Sequence, residues 1–269
     1  MITLNLQKIK LTGEILVAFL LFSLFQGCSS VPVQPSGPPF GPEEIGCILS
    51  NFGKQRERVQ SAFSSGRLTV RTNGSEYDAN ILIVGTKNPL RTKIEITHPW
   101  GRPLLHILIR DARLHLLSFT EKEYYIGNIG VSDPSKFFPI PLDLDHIWTL
   151  VRSYPVLYDS NRAVSYEKNQ IMLLNEKGEL VQVIHLYPQT DLPSMVSYPK
   201  QGIKISFADF QNEDGIQHAK KIRLEYPDND TTLRLHLKHI AFDKKVPTSI
   251  FQITIPAGFK MLSLPCTQP

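Results

Sequence analysis

The sequence predicts a mainly β fold of the α+β class, in which a curved antiparallel sheet of about ten strands forms an unclosed barrel covered by short helices. Short apolar runs recur along most of the 269 residues, and their alternation of apolar and polar side chains is typical of half-buried strands. Turn-forming residues separate consecutive runs at short intervals, which favours an antiparallel meander. Three segments have helical spacing, and helices are needed because such a sheet cannot leave its apolar face in water.

Residues 1–27 are predicted to be a lipoprotein signal peptide. Lys8 and Lys10 supply positive charge, and an apolar run follows over residues 15–25. This run is shorter than the roughly 20 residues that a membrane-spanning helix needs. Cys28 stands behind a small residue at the end of the run and resembles the cysteine of a bacterial lipobox. The resemblance implies that cleavage leaves Cys28 as an acylated first residue, and ordinary signal cleavage nearby is the alternative.

Residues 28–42 are predicted to be the lipidated N-terminus and a flexible tether, because they are rich in Pro, Gly and Ser and have no periodic apolar pattern. Two or more acyl chains make an anchor nearly permanent, since each buried methylene contributes about 0.8 kcal/mol. Ser29, rather than Asp, follows the cysteine and resembles the sorting signal of outer-membrane lipoproteins. The resemblance implies a lipid-anchored protein on the periplasmic face of a bacterial outer membrane.

Residues 43–269 are expected to form a single domain that begins with a helix. Pro42 and the acidic pair that follows it are typical of a helix start, although Gly46 and Gly53 weaken the prediction of a continuous helix. Basic residues fall on the opposite face and are interpreted as a solvated surface rather than a binding site. The apolar residues with helical spacing are Ile45, Ile48, Leu49, Phe52, Val59 and Phe63.

Three cysteines are present in the chain, and a lipid on Cys28 leaves Cys47 and Cys266. In an oxidising periplasm these two are a natural disulfide pair. The bridge would link the first helix to the chain end, and closing so long a loop stabilises a fold by roughly 5 kcal/mol at most.

The clearest strand pattern lies in residues 63–119, where five apolar runs alternate with polar residues. Leu68 and Val70, for example, stand on the opposite parity from charged Arg67 and Arg71. The apolar parity is predicted to form the concave face of the sheet. Its members are Leu68, Val70, Ile81, Ile83, Ile94, Ile96, Leu105, Ile107, Leu114 and Leu116.

A tight turn between two of these runs reads Thr-His-Pro-Trp-Gly over residues 97–101. Such a turn directs Trp100, one of the largest apolar side chains, toward solvent. A ring folded back on the edge of the sheet is the alternative.

Beyond the meander, residues 134–138 are predicted to form a helical turn and residues 143–152 an amphipathic helix that includes Trp148. Two arrangements are compatible with this pattern: the helices could close a filled core, or they could leave a cavity for an apolar ligand. Further strands are predicted at 121–127, 163–167, 171–174, 180–187, 202–210, 221–226, 232–241 and 251–255.

Several of these motifs together resemble the LolB family of outer-membrane lipoprotein receptors. They are the strand at 63–71, a strand that contains Asn80, the turn at 97–101, and the Phe-Pro-Ile-Pro stretch at 138–141 ahead of a helix. Later stretches, at 209–210, 246–251 and 255–259, are similar to the related LolA carriers. The resemblance implies a half-barrel under a helical lid that holds the acyl chains of lipoproteins in transit.

The resemblance also implies the site residues and the partners. Pro99, Trp100 and Gly101 match the protruding turn that places cargo in the membrane, with Trp where the family pattern has Leu. The partners are then acylated lipoproteins or lipids, a periplasmic LolA-like carrier, and the membrane through the N-terminal anchor; the protein is expected to be a monomer. The cavity would be lined by Leu68, Val70, Ile81, Ile83, Ile94, Ile96, Leu105, Ile107, Leu116 and Trp148.

Catalytic motifs are missing from the sequence, which has no Gly-x-Ser-x-Gly, Cys-x-x-Cys, phosphate-binding Gly loop or His-Glu-x-x-His. We therefore predict no enzyme activity, no cofactor and no metal. His236 and His239 are three apart in a probable strand and are expected on opposite faces. Asp143, Asp145 and His146 are interpreted as residues at a helix start, where acidic side chains cap the helix and interact with its dipole.

Composition excludes one further class of partner. The formal net charge of +4 is spread along the chain, and together with the export signal this argues against nucleic acid. Three functions remain: an anchored acceptor that inserts lipoproteins in the outer membrane, a binding protein for another lipid or glycolipid amphiphile, and an envelope scaffold with a filled core.

Overall fold

All strands of the computed structural model belong to one sheet of fourteen strands within the residues that it describes, 38–129, 140 and 142–264. The described part of the chain also contains two α-helices, α1 at Pro42–Arg58 and α2 at Leu144–Arg152. The strands are β1 Ser61–Thr72, β2 Ser75–Thr86, β3 Arg91–Thr97, β4 Pro103–Arg110, β5 Arg113–Ser118, β6 Glu123–Asn128, β7 Arg162–Val164, β8 Gln170–Leu174, β9 Leu180–Leu186, β10 Pro193–Tyr198, β11 Ile203–Glu213, β12 Ile216–Tyr226, β13 Thr231–Phe242 and β14 Lys260–Ser263.

The strand order is β14-β6-β5-β4-β3-β2-β1-β13-β12-β11-β10-β9-β8-β7. It contains two series of consecutive hairpins that meet where β1 pairs with β13. Within the described residues β14 and β7 do not pair with each other, so the sheet is unclosed. The predicted class is therefore confirmed: a mainly β chain with one unclosed sheet and few helices.

Four details of the predicted sheet are wrong. Fourteen strands are present instead of about ten, and β14 pairs with β6 in parallel rather than antiparallel. Residues 251–255 form no strand, because Phe251 instead packs on the outside of the sheet. The sequence missed β10, which begins with Pro193 and alternates poorly, although Val196 and Tyr198 on it are fully buried.

One face of the sheet carries the predicted apolar residues, and we call it the inner face. Ile81 lies opposite Ile96, Ile83 opposite Ile94, and Ile94 in turn opposite Ile107. Residues directly opposite each other point to the same face of a sheet. Both helices pack against this face, and their buried apolar residues belong to the same hydrophobic cluster as the strand residues.

Helix α1 runs unbroken through both of its glycines. Pro42 stands at its start and Ile45, Ile48 and Phe52 are buried against the sheet. A Cβ atom at Gly46 would meet no other atom within 4 Å, so this glycine is not required by packing. Burial of the apolar stripe therefore outweighs the unfavourable helix propensity of glycine.

Helix α2 begins with a capping box formed by Asp143 and His146. The Asp143 carboxylate accepts a hydrogen bond from the His146 backbone N–H at 2.7 Å, and the Asp143 N–H donates to His146 Nδ1 at 3.2 Å. The helix ends at Arg152 and is followed by the C-cap residue Ser153, whose φ of 58° is left-handed. Capping, which the sequence predicted for Asp143, is confirmed.

We expect Asp143 to make the stability of the protein depend on pH. Burial by itself raises the pKa of this carboxyl, but hydrogen bonds from His146 and Tyr158 outweigh burial and hold the pKa below its usual range. Its stabilising effect is then complete above the unfolded pKa of about 4 and is lost as the pH falls through the folded pKa. The measurement is the urea midpoint of unfolding between pH 7 and pH 2.

The matched variant for that measurement is Asp143→Asn, because Asn is also a good N-cap residue but does not titrate. We expect the wild type to be the more stable protein at pH 7 and the difference to shrink below about pH 4. A difference that stays constant over this range would contradict the assignment.

The outer face of the sheet has a small hydrophobic cluster of its own. Val84 and Leu108 point away from the inner face, yet they are 1% and 3% exposed. Phe251 covers them, and its carbonyl accepts a hydrogen bond from Arg110 Nη1 at 3.2 Å. We call residues 243–259 the C-terminal strap, because they cross the outer face between β13 and β14.

Candidate functional site

The turn between β3 and β4 presents Trp100 to solvent. Its side chain is 91% exposed, so the exposure predicted from sequence is confirmed. The His98 N–H donates to the Arg102 carbonyl at 2.7 Å, and the Gly101 N–H donates to the His98 carbonyl at 2.7 Å. Gly101 has a φ of 86°, which glycine adopts without strain.

Two further contacts brace this turn. Asn80 on β2 donates from Nδ2 to the Pro99 carbonyl at 3.3 Å. The His98 and Trp100 rings are tilted against each other, with their centroids 4.6 Å apart. The turn is therefore held in one shape while the greater part of the indole surface remains in water.

Apolar inner-face residues continue up to the end of the sheet that bears this turn. Val70, Ile96 and Leu105 lie near the ends of their strands on that side and are only half-buried, whereas Ile83 and Ile107 are 1% exposed. Tyr77 lies directly opposite Val70 and is 61% exposed. A continuous apolar surface thus leads from the core to the rim beside Trp100.

The structure brings the predicted cavity residues together on this face and on α2. Seven are buried, three are half-buried, and all ten belong to one hydrophobic cluster or pack against it. The seven buried residues are Leu68, Ile81, Ile83, Ile94, Ile107, Leu116 and Trp148.

An open groove of about 500 Å³ lies elsewhere, on the outer face of β7 and β8. It is lined by Val164, Met172 and Leu174, which alternate with the inner-face residues Ile171 and Leu173. None of the residues that line this groove was predicted from the sequence to belong to the lipid cavity or to the Trp100 turn.

Beneath α2 lies a buried cluster of polar rings. His146 is fully buried, and its ring meets that of Tyr198 edge to face at a centroid distance of 4.3 Å. The Tyr158 hydroxyl donates to the Asp143 carboxylate and lies 3.3 Å from His146 Nε2. Burial, and then the Asp143 carboxylate, raise the pKa of Tyr158, so this hydroxyl remains protonated. The cluster fixes the start of α2 to the strands below it.

Sequence reasoning missed Arg152, the last residue of α2, which is fully buried. A basic residue in the last turn of a helix ordinarily remains in solvent and interacts with the helix dipole, so its burial has no sequence signal. Its guanidinium lies over the Tyr154 ring, 4.6 Å from the centroid, and Nη2 donates to Gln55 Oε1 at 3.3 Å. Burial lowers the pKa of Arg152 to about 10.

His236 and His239 lie on the same outer face, whereas the sequence predicted opposite faces. The reason is a β-bulge: Arg67 pairs with His236, but Ser65 pairs with His239, so β13 contains one extra residue between them. Even so, the described part of the chain contains no group of three His, Cys, Asp or Glu side chains that could hold a metal ion.

The cysteine predictions lie largely outside the described residues. Cys47 is exposed on α1, but Cys28 and Cys266 fall in the parts that the structure does not describe, so the lipid anchor and the disulfide stay predictions. The same is true of the signal peptide and of the helical turn at 134–138. Among the residues that are described, no helix has the length and apolar character needed to cross a bilayer.

Comparison with solved structures identifies the fold. A DUF1329 family protein from Desulfovibrio piger superposes with a TM-score of 0.54 at 16% identity, over 77% of this chain and 97% of the other. A presumed outer membrane lipoprotein-sorting protein domain from Vibrio parahaemolyticus gives 0.52 at 11% identity, over 76% and 94%. A LolA superfamily protein from Nitrosomonas europaea gives 0.51 at 13% identity, over 77% and 97%.

The chain has a LolA-like fold. No protein-family model matches its sequence, and no curated protein matches it either. Similarity at these low identities establishes the LolA-like architecture alone, and the activity has to be argued from the site.

Proposed function

We propose that this protein binds the acyl chains of lipoproteins or lipids on its inner face and passes them to a membrane through the Trp100 turn. The observation that carries the proposal is the placement of Trp100. A braced turn holds a 91% exposed indole at the end of the sheet where Val70, Ile96 and Leu105 are only half-buried. An acyl chain leaving the inner face at this end would meet the indole first.

The size of the effect suits a transfer step. Moving a large apolar side chain out of water contributes roughly 1.5 to 3 kcal/mol, which is enough to favour contact with a membrane but too little to anchor a protein. Tryptophan also partitions to the interface between lipid and water. Trp100 would therefore engage the membrane reversibly, while a lipid on Cys28 supplies the permanent attachment.

The remaining parts of the proposal come from the sequence and from the LolA-like fold. Residues 1–27 would be removed, residues 28–42 would tether the protein to the periplasmic face of the outer membrane, and residues 43–269 would act as a monomeric half-barrel. Cargo would arrive on a soluble LolA-like carrier. This proposal includes no enzymatic step.

Trp100→Glu is expected to abolish transfer without unfolding the protein. The test mixes a lipid-free form, residues 31–269, with a LolA-like carrier loaded with radiolabelled lipoprotein and measures label that reaches vesicles. Trp100→Glu should lower transfer at least tenfold, because a charged tip loses the contribution of the indole at the interface. Thermal unfolding should be unchanged, since the side chain is 91% exposed and its ring contact is with the partly exposed His98 of the same turn.

Trp100→Leu is the matched control, because it keeps an apolar tip of smaller size and should retain most of the transfer. Normal transfer by Trp100→Glu would reject the role of the turn. The same experiment distinguishes two other functions. If lipid copurifies with the protein but no lipoprotein is transferred, the protein is better explained as a carrier of another amphiphile, such as a glycolipid. Neither lipid nor transfer would favour a scaffold with a filled core.

A further inference from the structure

Arg152 is a buried cation with unused hydrogen-bond donors. Its side chain has no exposed surface, and neither Nε nor Nη1 has a partner among the residues that the structure describes. Its one hydrogen bond goes to the neutral amide of Gln55 at 3.3 Å, near the long limit for such a bond. Among the described residues no carboxylate forms an ion pair with it, and burial is the largest influence on its pKa.

An unpaired guanidinium in a protein interior is strongly unfavourable, because a buried charge loses its hydration. The Tyr154 ring and the C-terminal end of α2 offset a part of this loss through a cation–π contact and the helix dipole. Neither of them accepts a hydrogen bond from Nε or Nη1. These donors remain available for a planar anion, which a guanidinium binds through two parallel hydrogen bonds.

Other unpaired polar atoms lie in the same part of the fold. Ser153 Oγ and His218 Nδ1 are buried without a partner in the described structure. Backbone contacts bring them near Arg152: the Ser153 carbonyl accepts from the Ala219 N–H at 2.9 Å, and Gln55 Oε1 accepts from the Gln217 N–H at 3.1 Å. Buried polar atoms without a partner among the described residues thus lie where α1, the end of α2 and β12 meet.

Apolar rings connect this polar site to the inner face. Tyr154, which lies under the guanidinium, packs against Phe52 of α1 with ring centroids 5.3 Å apart and against Phe210 at 6.3 Å. Phe52 and Tyr154 belong to the same hydrophobic cluster as the inner-face residues. A molecule with an acidic head and an apolar tail would fit this arrangement, with its head at Arg152 and its tail on the inner face.

We infer that Arg152 binds the anionic head group, a carboxylate or a phosphate, of a single-headed amphiphile whose chain lies on the inner face. The inference rests on the proposed acyl binding and specifies its ligand class, a free fatty acid or an alkyl phosphate. The ester- and amide-linked chains of a lipoprotein carry no such charge. Because Arg152 has no exposed surface, head-group entry requires α1 or α2 to move away from the sheet.

The test measures binding of oleate, oleyl phosphate and uncharged methyl oleate to the purified full-length protein by isothermal titration calorimetry. The wild type should bind at least one of the two anions more than tenfold tighter than methyl oleate, and comparison of the two identifies the head group. Arg152→Met should lose this preference while still binding methyl oleate. Arg58→Met, which removes an exposed arginine that bonds the Gly215 carbonyl, is the matched control and should keep it.

Equal binding of the three ligands by the wild type would overturn the inference, and so would a preference that survives in Arg152→Met. In both cases acyl binding itself would stand, whereas failure of all three ligands to bind would reject the proposed function. Replacing a buried charge with Met should not lower stability. Should Arg152→Met fail to fold, the ¹⁵Nε–H resonance of wild-type Arg152 decides, because oleate should shift it and methyl oleate should not.

Discussion

Gly66→Ala is expected to destabilise the whole fold strongly. A Cβ atom at this position would lie 2.2 Å from the His236 carbonyl oxygen and 2.8 Å from the Cα atom of Leu237. Both atoms belong to the backbone of β13, which cannot rotate away as a flexible side chain can. We expect a loss of at least about 3 kcal/mol, at the upper end of what overpacking costs.

The position of Gly66 explains why this loss should be global. The residue lies at the β-bulge where β1 pairs with β13, and among the described strands this pairing joins the two series of hairpins. Urea denaturation followed by far-UV circular dichroism measures the loss. The control is Gly46→Ala, where an added Cβ meets nothing within 4 Å, and which should stabilise α1 by up to about 1 kcal/mol. Wild-type stability in Gly66→Ala would show that the bulge is absent in solution.

Gly85→Leu is expected to displace α2 from the sheet while the strands stay paired. A Cβ atom at Gly85 would lie 2.6 Å from Val151 Cγ1 and 3.2 Å from Trp148 Cζ3. Both side chains are buried and tightly held, so a larger residue must push the whole helix outward. Overpacking of this kind costs about 1 to 3 kcal/mol, and a nine-residue helix offers the easier way to relieve it.

Trp148 reports this displacement directly. The protein has two tryptophans, so in a Trp100→Phe background the remaining fluorescence comes from Trp148, which is 5% exposed. We expect a red-shifted emission and stronger binding of an apolar dye, with the strand signal in circular dichroism unchanged. Gly46→Leu in the same background places a leucine on the exposed side of α1 and should change neither signal. An unshifted emission would mean that α2 does not act as a removable cover.

The inner face could be predicted from sequence because its signal is local. Each of Leu68, Ile83, Ile94 and Ile107 follows the two-residue period, and each is buried with its neighbours as the period requires. The exposure of Trp100 could also be predicted from a local signal, since the Pro and Gly beside it favour a tight turn. Local patterns of this kind are sufficient to predict the curved sheet, its two covering helices and the rim turn.

What sequence reasoning missed depends on contacts between distant parts of the chain. Val84 and Leu108 alternate with the inner-face residues of their strands and so lie on the outer face. They form a second core because Phe251, in the segment after β13, packs over them. The same packing explains why residues 251–255 have a strand-like pattern without forming a strand. Arg152 was missed for a related reason, because its burial follows from the packing of α1 and β12 around it and not from its neighbours in sequence.

The pairing of β1 with β13 also governs how the chain can fold. Leu68 lies opposite Leu235, so the first hairpins to be synthesised have a free edge until nearly the whole chain is available. Contacts between residues so distant in sequence are slow to form, because closing a long loop costs entropy before any contact compensates for it. Refolding from urea should therefore take milliseconds to seconds, and the unpaired edge of β1 would be the part most prone to aggregation during that time.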